Sequence, residues 1–109
     1  AREFPDIVGM LPDLIEEWRR NPVGQLTYVR CAPWSFGDRV LILGDASSAV
    51  VPFHGQGMNS ALQQCLELSR TISGCDGDIH AAIPLFAKTM KPNADTICDL
   101  ALHNYVEMR

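Results

Sequence analysis

The stretch that most constrains the fold is RVLILGDASSAVVPFHGQGMNSALQQ, residues 39–64. RVLILG (39–44) is predicted to be a strand, and its four consecutive apolar residues, 40–43, indicate that it is covered on both faces, as in a parallel or mixed sheet. A loop with a proline, a histidine and two glycines follows, and from Gly57 onward apolar residues recur at helical spacing. The order strand, loop, helix predicts an α/β fold.

The rest of the chain predicts one more strand and three more helices. QLTYVRCAPW (25–34) has the β-branched and aromatic content of a strand, and SFGD (35–38) is typical of a turn. The predicted helices run from Pro12 to Arg20, from Ile79 to Met90, and from Pro92, which we expect to restart the chain as a last helix. Two strands do not make a stable sheet, so we expect further strands elsewhere in a longer protein.

Length and charge narrow the classes of function. The chain has 109 residues, about one small domain, and 47% of them are hydrophobic, which is enough for a core. Its net charge of −4 argues against a nucleic-acid partner. The apolar runs are too short to span a bilayer, and the N-terminus does not resemble a signal peptide. A start at Ala1 and an end within a helical pattern favour a segment of a longer protein.

The four cysteines do not favour a metal site. Cys31, Cys65, Cys75 and Cys98 form no CxxC pair, and no histidine stands at ligand spacing from them. Cys65 and Cys98 fall on apolar helical stripes, where buried free thiols are common. We expect neither a zinc site nor a disulfide framework, and a reducing compartment.

The Gly44-Asp45 pair lies where the predicted strand ends, at the edge where open α/β sheets bind ligands. A carboxylate there suits the hydroxyl groups of a ribose or ribityl chain, since it only accepts hydrogen bonds. Gly55 and Gly57 would let a ligand approach the backbone closely, and the unpaired N–H groups of a helix start favour an electron-rich atom.

A plain turn remains an alternative on these residues alone. Strand–Gly–Asp–loop–helix occurs in many α/β proteins, and the chain has neither a GxGxxG fingerprint nor a P-loop. A lone histidine such as His54 is more often a loop residue than a catalytic group. Ser47 and Ser48 do not form a GxSxG elbow.

GDASSAVVPFHGQGMNSALQQC (44–65) resembles the second flavin-binding motif of the FAD-dependent aromatic hydroxylases, the class A flavoprotein monooxygenases. VVPFHGQGMN, together with the ending DLALHNYVEMR, is most similar to the branch of that family that hydroxylates kynurenine. The resemblance implies part of an α/β, Rossmann-like FAD-binding fold, with two strands and about four helices here. It assigns residues 1–36 to the end of a substrate-domain region and 37–109 to the C-terminal part of the FAD-binding domain.

The resemblance also implies a reaction, in which L-kynurenine is hydroxylated to 3-hydroxykynurenine with NADPH, FAD and O₂ through a flavin C4a-hydroperoxide. Asp45 would bind the ribityl chain, and the backbone at the start of the helix would contact the pyrimidine end of the flavin. The implied cofactor-binding residues are Asp45, Pro52, Gly55, Gly57, Met58 and Asn59.

The resemblance also implies that the substrate binds next to this loop. Phe53 would pack on the aromatic substrate, and Asn104 would help hold its amino-acid carboxylate. His54 would hydrogen-bond either the substrate or the peroxide region. No residue of this chain is assigned as catalytic, and no metal is implied. Tyr105 and Met108 are expected in the core.

The chain departs from the usual motif at one point. Ala46-Ser47-Ser48 stands where the family usually has Ala-Ala-His. A diverged paralogue or an altered substrate range, another FAD-dependent aromatic hydroxylase, and a non-catalytic flavin-fold binding module therefore stay as alternatives. The unit that binds the ADP half of FAD is not in these residues, so we expect the isolated segment to be inactive. The resemblance implies an intracellular protein, either cytoplasmic or at the outer mitochondrial membrane of a eukaryote, with membrane attachment only through a segment outside this chain.

Overall fold

The computed structural model describes residue 3 and residues 5–108, except the side chains of Ile7, Val8 and His54. Within this part, the fold is a mixture of helices and short strands. The helices are α1 Pro5–Val8, α2 Leu14–Arg20, α3 Gly57–Gly74 and α4 Ile79–Glu107. The strands are β1 Val29–Arg30, β2 Ser35–Phe36, β3 Val40–Leu41 and β4 Ser48–Ala49, and 3₁₀ turns span Gly44–Ala46 and Pro52–His54.

The strands form two antiparallel pairs. β1 pairs with β4, with Val29 opposite Ala49, and β2 pairs with β3 as a hairpin, with Phe36 opposite Val40. The prediction of two strands is therefore wrong for the described residues. The predicted turn at SFGD is shorter than expected, because Ser35 and Phe36 belong to β2 and pair with β3. Gly37, in the turn that remains, takes the left-handed conformation (φ +57°).

The strand predicted at 39–44 is also corrected. Only Val40–Leu41 is a strand, its partner is antiparallel, and the Val40 side chain is 52% exposed. The backbone N–H of Ile42 continues the pairing by donating to the Trp34 carbonyl at 2.9 Å. The apolar run does enter the core, because residues 41–43 are half-buried against it.

The two helices predicted around Pro92 are one helix of 29 residues. Pro84 and Pro92 lie inside it, where each removes a backbone donor, at a cost of about 3 kcal/mol for an interior position. The burial of apolar residues on both sides of Pro92 offsets this cost, since Met90 is 4% exposed and Ala94 1% exposed. Asp78 caps the N-terminus of this helix, because its carboxylate accepts hydrogen bonds from the backbone N–H groups of His80 and Ala81.

The core lies between α4 and the β2–β3 hairpin. Trp34, Phe86, Met90 and Ala94 are its buried members, and the Trp34 and Phe86 rings are 6.4 Å apart. Leu68 of α3 and residues 41–43 pack around them. The helical spacing of apolar residues predicted from Ile79 to Met108 is thus confirmed as the buried face of α4 between Ala82 and Ala101. It is wrong at the helix start, where Ile79 is 50% exposed, and beyond Ala101.

Two other predicted apolar stripes are exposed. Every residue from 9 to 28 is exposed, including the α2 stripe, of which Trp18 is 81% exposed. On α3, Met58 and Leu62 are 74% and 61% exposed, while Ser60 and Gln64 are buried. The expectation of a buried thiol is correct for Cys98 and wrong for Cys65, which lies on the exposed side of α3.

In the described part of the chain, no helix is both long and apolar enough to cross a membrane. The same residues contain no cluster of three or more histidine, cysteine or acidic side chains that could hold a metal ion. The four cysteines are free thiols.

Candidate functional site

The Gly-Asp pair forms a tight turn on the surface. Leu43 is extended, Gly44 takes φ +57°, and the 3₁₀ turn closes when the Ser47 N–H donates to the Gly44 carbonyl at 3.0 Å. An added Cβ on Gly44 would lie 3.7 Å from the Ala61 Cβ, so the turn rests on α3. The left-handed backbone favours glycine here. Asp45 is exposed, and its carboxylate is accessible to a ligand.

Directly below this turn lies a buried polar cluster of Ser47, Ser48 and Gln64, here called the serine–glutamine cluster. Ser47 and Gln64 are 0% exposed and Ser48 is 6% exposed. The Gln64 Oε1 accepts the Gly44 N–H at 2.8 Å, and its Nε2 donates to the Ser48 hydroxyl at 3.2 Å. The sequence reasoning missed Gln64. The available signal was its i, i+4 spacing from Ser60, which puts two small or polar residues on one face of α3.

The start of α3 is open. Gly55 takes φ +62°, and an added Cβ there would meet no atom within 4 Å. The first intrahelical bond is from the Ser60 N–H to the Gln56 carbonyl at 2.8 Å, so the N–H groups of residues 57–59 precede it. The Gln56 side chain caps none of them; it accepts a hydrogen bond from the Asn59 side chain at 3.1 Å instead.

The Pro52–His54 turn is fastened to the end of α4. The Phe53 ring stacks on Tyr105, with ring centres 4.7 Å apart, and Asn104 Nδ2 donates to the Phe53 carbonyl at 3.1 Å. Tyr105 is 37% exposed and Met108 66% exposed, so the expectation that they belong to the core is wrong. Pro52 is exposed. The side chain of His54 lies outside the described part of the chain, and its role stays a prediction.

A polar contact ties β1, and through it β4, to α4. Arg30 forms an ion pair with Asp99 and donates to the Asp95 carbonyl at 3.1 Å. The hydrogen bond with Asp99 raises the pKa of Arg30 above its usual value. Burial raises the pKa of the adjacent Cys98 thiol, which is 2% exposed, although the nearby Arg30 partly opposes that shift.

The predicted site residues fall into neighbouring groups along α3. The Asp45 turn packs beside Ala61 and Gln64, which lie about 6 and 10 Å along the helix from Gly57 at 1.5 Å per residue. Gly55, Gly57, Met58 and Asn59 surround the helix start. Phe53 and Asn104, 51 residues apart in sequence, are in direct contact. The exposed Asp45 carboxylate and the open helix start therefore lie along α3. The stacked rings of Phe53 and Tyr105 lie where the loop before α3 meets the end of α4.

Comparison with known proteins identifies this arrangement. Residues 16–75, which contain the Asp45 turn, the open helix start and all of α3, match the family model described as FAD binding domain. The chain belongs to this FAD binding domain family. The glycine-rich start of α3 and the Gly-Asp turn therefore both lie within the stretch that matches an FAD binding domain.

Several relatives are similar over nearly the whole chain, and each is named kynurenine 3-monooxygenase. The protein from Salinispora arenicola is 43% identical over 99% of this chain, and that from Stenotrophomonas maltophilia is 42% identical over 100%. The Flavobacterium psychrophilum protein is 37% identical over 99% of the chain. In each case the match covers 24% of the relative, so the chain spans about a quarter of the length of these proteins.

Proposed function

We propose that the full-length protein carrying this chain is an NADPH- and FAD-dependent monooxygenase that hydroxylates L-kynurenine to 3-hydroxykynurenine with O₂. The observation that carries the proposal is the similarity of the whole chain, at 37–43% identity, to relatives named kynurenine 3-monooxygenase. Residues 37–109 would be the C-terminal part of a Rossmann-like FAD-binding domain. Residues 1–36 would belong to the end of a substrate-domain region.

The residues present fit FAD. The exposed Asp45 carboxylate accepts hydrogen bonds only, which suits the ribityl hydroxyls. The uncapped N–H groups at the start of α3, about 6 Å along the helix from the Asp45 turn, suit the electron-rich edge of a flavin. The open space at the Cβ position of Gly55 leaves room for a flat ring beside the loop.

Bound FAD, once reduced by NADPH, supplies the oxygen-activating chemistry of this reaction class. The chain's own contribution is placement and electrostatics. The positive end of the α3 dipole stabilises negative charge at the helix start, by about 0.3–1 kcal/mol at a surface site and more where water is excluded. Asp45 orients the chain that links the ring to the rest of the cofactor, and Gly55, whose Cβ position meets no atom within 4 Å, leaves the backbone before α3 free of a side chain.

The substrate side of the proposed site is the Pro52–His54 turn. Phe53 supplies an aromatic surface that Tyr105 holds in place by stacking. Asn104 fixes the Phe53 carbonyl, so we propose that it shapes the substrate side through the loop as well as by the contact to the substrate carboxylate that the resemblance implies. His54 stands at the end of the same turn.

The test uses the full-length protein with Asp45→Asn, and with Glu16→Gln as a matched control. Both changes replace one exposed carboxylate by an amide, but only the first touches the proposed ribityl contact. Loss of a hydrogen bond to a charged group costs about 1.5–3 kcal/mol, so we expect FAD to bind about 10- to 150-fold more weakly to the Asp45 variant only. Equal affinities in both variants would contradict the role of Asp45.

The substrate is tested separately with the wild-type protein. We expect kynurenine to stimulate NADPH oxidation and 3-hydroxykynurenine to appear as the product. NADPH oxidation that kynurenine does not stimulate would favour another aromatic hydroxylase of this family. A protein that purifies colourless and stays so after addition of FAD would favour a binding module without flavin.

A further inference from the structure

Gln64 is the largest fully buried polar side chain among the described residues, and it lies near the proposed cofactor site. It is 0% exposed, and both ends of its carboxamide face the segment that carries Asp45. Its Oε1 accepts the Gly44 N–H at 2.8 Å, on one side of Asp45. Its Nε2 donates to the Ser48 hydroxyl at 3.2 Å, on the other side. One side chain of α3 thus holds the turn from both ends.

Ser47 closes the same network. Its hydroxyl lies 2.9 Å from the Gly44 carbonyl and 3.3 Å from Gln64 Oε1, so its single proton is shared between two acceptors. A buried amide that lacked partners would cost about 1–3 kcal/mol, and here each half of the amide has one. The two halves are not interchangeable, because Oε1 only accepts and Nε2 only donates. The pairing therefore selects one position of the turn relative to α3.

The turn needs such a support. Asp45 is exposed, so packing does not fix its carboxylate, and the backbone around it sets the point from which the side chain extends toward a ligand. That backbone is in a left-handed conformation at Gly44 (φ +57°) and in a short 3₁₀ turn after it. Contacts at Gly44 and Ser48 fix the two ends of this short segment, which limits the directions that the carboxylate can take.

The network also accounts for the departure from the usual motif. Ser47 and Ser48 stand where aromatic hydroxylases usually have alanine and histidine, and both serines are buried and bonded to Gln64. The position of the usual histidine is therefore filled by a short hydroxyl that meets a long amide from α3. In this chain, the turn is supported from below by the serine–glutamine cluster.

We propose that Gln64 is a positioning residue for the cofactor, which acts through Gly44 and Ser48 to aim the Asp45 carboxylate at the ribityl chain. This inference rests on the proposed function, since it presupposes that Asp45 binds FAD. Gln64 itself has no contact with the cofactor in this proposal. Its effect on FAD affinity should therefore depend on the presence of Asp45.

The test is a double-mutant cycle in the full-length protein with Gln64→Met and Asp45→Ala. Methionine is close to glutamine in size and removes the hydrogen bonds of Gln64 with Gly44, Ser47 and Ser48. The matched control is Gln63→Met, because Gln63 is exposed on the same helix and donates only to Glu67 in the described contacts. The dissociation constant of FAD, the visible circular dichroism of the bound flavin and the melting temperature of the apoprotein are measured for each variant.

We expect Gln64→Met to weaken FAD binding tenfold or more and to change the flavin dichroism, while Gln63→Met stays within twofold of the wild type. In the Asp45→Ala background, we expect Gln64→Met to weaken binding less than threefold further. A purely structural role would lower the melting temperature and weaken binding equally in both backgrounds. Equal weakening, or no weakening, would overturn the inference.

Ser48→Ala provides a second route if Gln64→Met does not fold. It removes only the acceptor of Nε2, and we expect a two- to fivefold loss of FAD affinity that disappears in the Asp45→Ala background. A loss that persists there would also overturn the inference. A wild-type protein that binds no FAD would overturn the proposed function and this inference together, whereas an additive cycle in an FAD-binding protein would overturn this inference alone.

Discussion

Helices α2 and α4 carry the same kind of apolar spacing but differ in what covers it. On α4, Ala82 and Phe86 are 0% exposed, because the hairpin and α3 pack against that face. On α2, Ile15 and Trp18 are 67% and 81% exposed, and no residue of the helix is buried. The spacing thus identifies an apolar face in both cases, but only the surrounding chain decides whether that face is buried.

The difference is consistent with the extent of the chain. It spans about a quarter of the length of its relatives, and α4 finds its partners within that quarter. Each region contains one tryptophan whose fluorescence can be followed. Trp34 belongs to the core beside α4, and Trp18 lies on the exposed apolar face of α2. The 109-residue chain therefore allows the two regions to be compared by fluorescence.

The largest effect is expected for Phe86→Ala. The side chain is fully buried against Trp34, and truncation of a buried phenylalanine costs about 3–5 kcal/mol of the free energy of unfolding. Urea denaturation followed by Trp34 fluorescence measures the loss. Leu85→Ala is the control, because this neighbour is 46% exposed and its truncation should cost far less. Equal losses would show that α4 is not buried on the face described.

An intermediate effect is expected for Trp34→Phe. The Trp34 indole N–H is buried and has no hydrogen-bond partner among the described residues, which costs about 1–3 kcal/mol. Phenylalanine removes this penalty but leaves a small cavity, so the two effects oppose each other. We expect a loss below about 2 kcal/mol in urea denaturation followed by circular dichroism. A loss as large as that of Trp34→Ala would mean that the N–H is paired.

The smallest effect is expected for Trp18→Ser. In the 109-residue chain, the change should alter the free energy of unfolding by less than about 0.5 kcal/mol, because the side chain is 81% exposed. Iodide should quench Trp18 in the Trp34→Phe chain and hardly quench Trp34 in the Trp18→Ser chain. In the full-length protein we expect Trp18→Ser to cost more. Strong protection of Trp18 from iodide in the 109-residue chain would contradict the difference in burial between α2 and α4.

The parts of the fold that depend on local chemistry could be predicted from sequence. Gly57 marks the start of α3, and Gly44-Asp45 begins a turn shortly after β3, because glycine and proline set the backbone within a few residues. The buried face of α4 followed from the spacing of Phe86 and Met90.

The parts that depend on distant partners could not. Pro92 was expected to separate two helices, but tertiary packing of Met90 and Ala94 keeps the helix continuous. Gln64 was not singled out, since its partners lie 16 to 20 residues earlier and helical periodicity does not show them. The roles of Phe53 and Asn104 toward a substrate stay predictions, although the structure brings these two residues into contact.

The length of α4 is itself a constraint. His80, in its first turn, contacts the Asp38 carbonyl in the hairpin turn at 3.2 Å, and Asn104, near its end, donates to the Phe53 carbonyl. The 24 residues between these two contacts span about 36 Å. One inserted residue would turn Asn104 by about 100° and shift it by about 1.5 Å, which would detach it from the loop while leaving the hairpin contact intact. Natural variants that keep the loop fastened should therefore keep the number of residues between His80 and Asn104 unchanged.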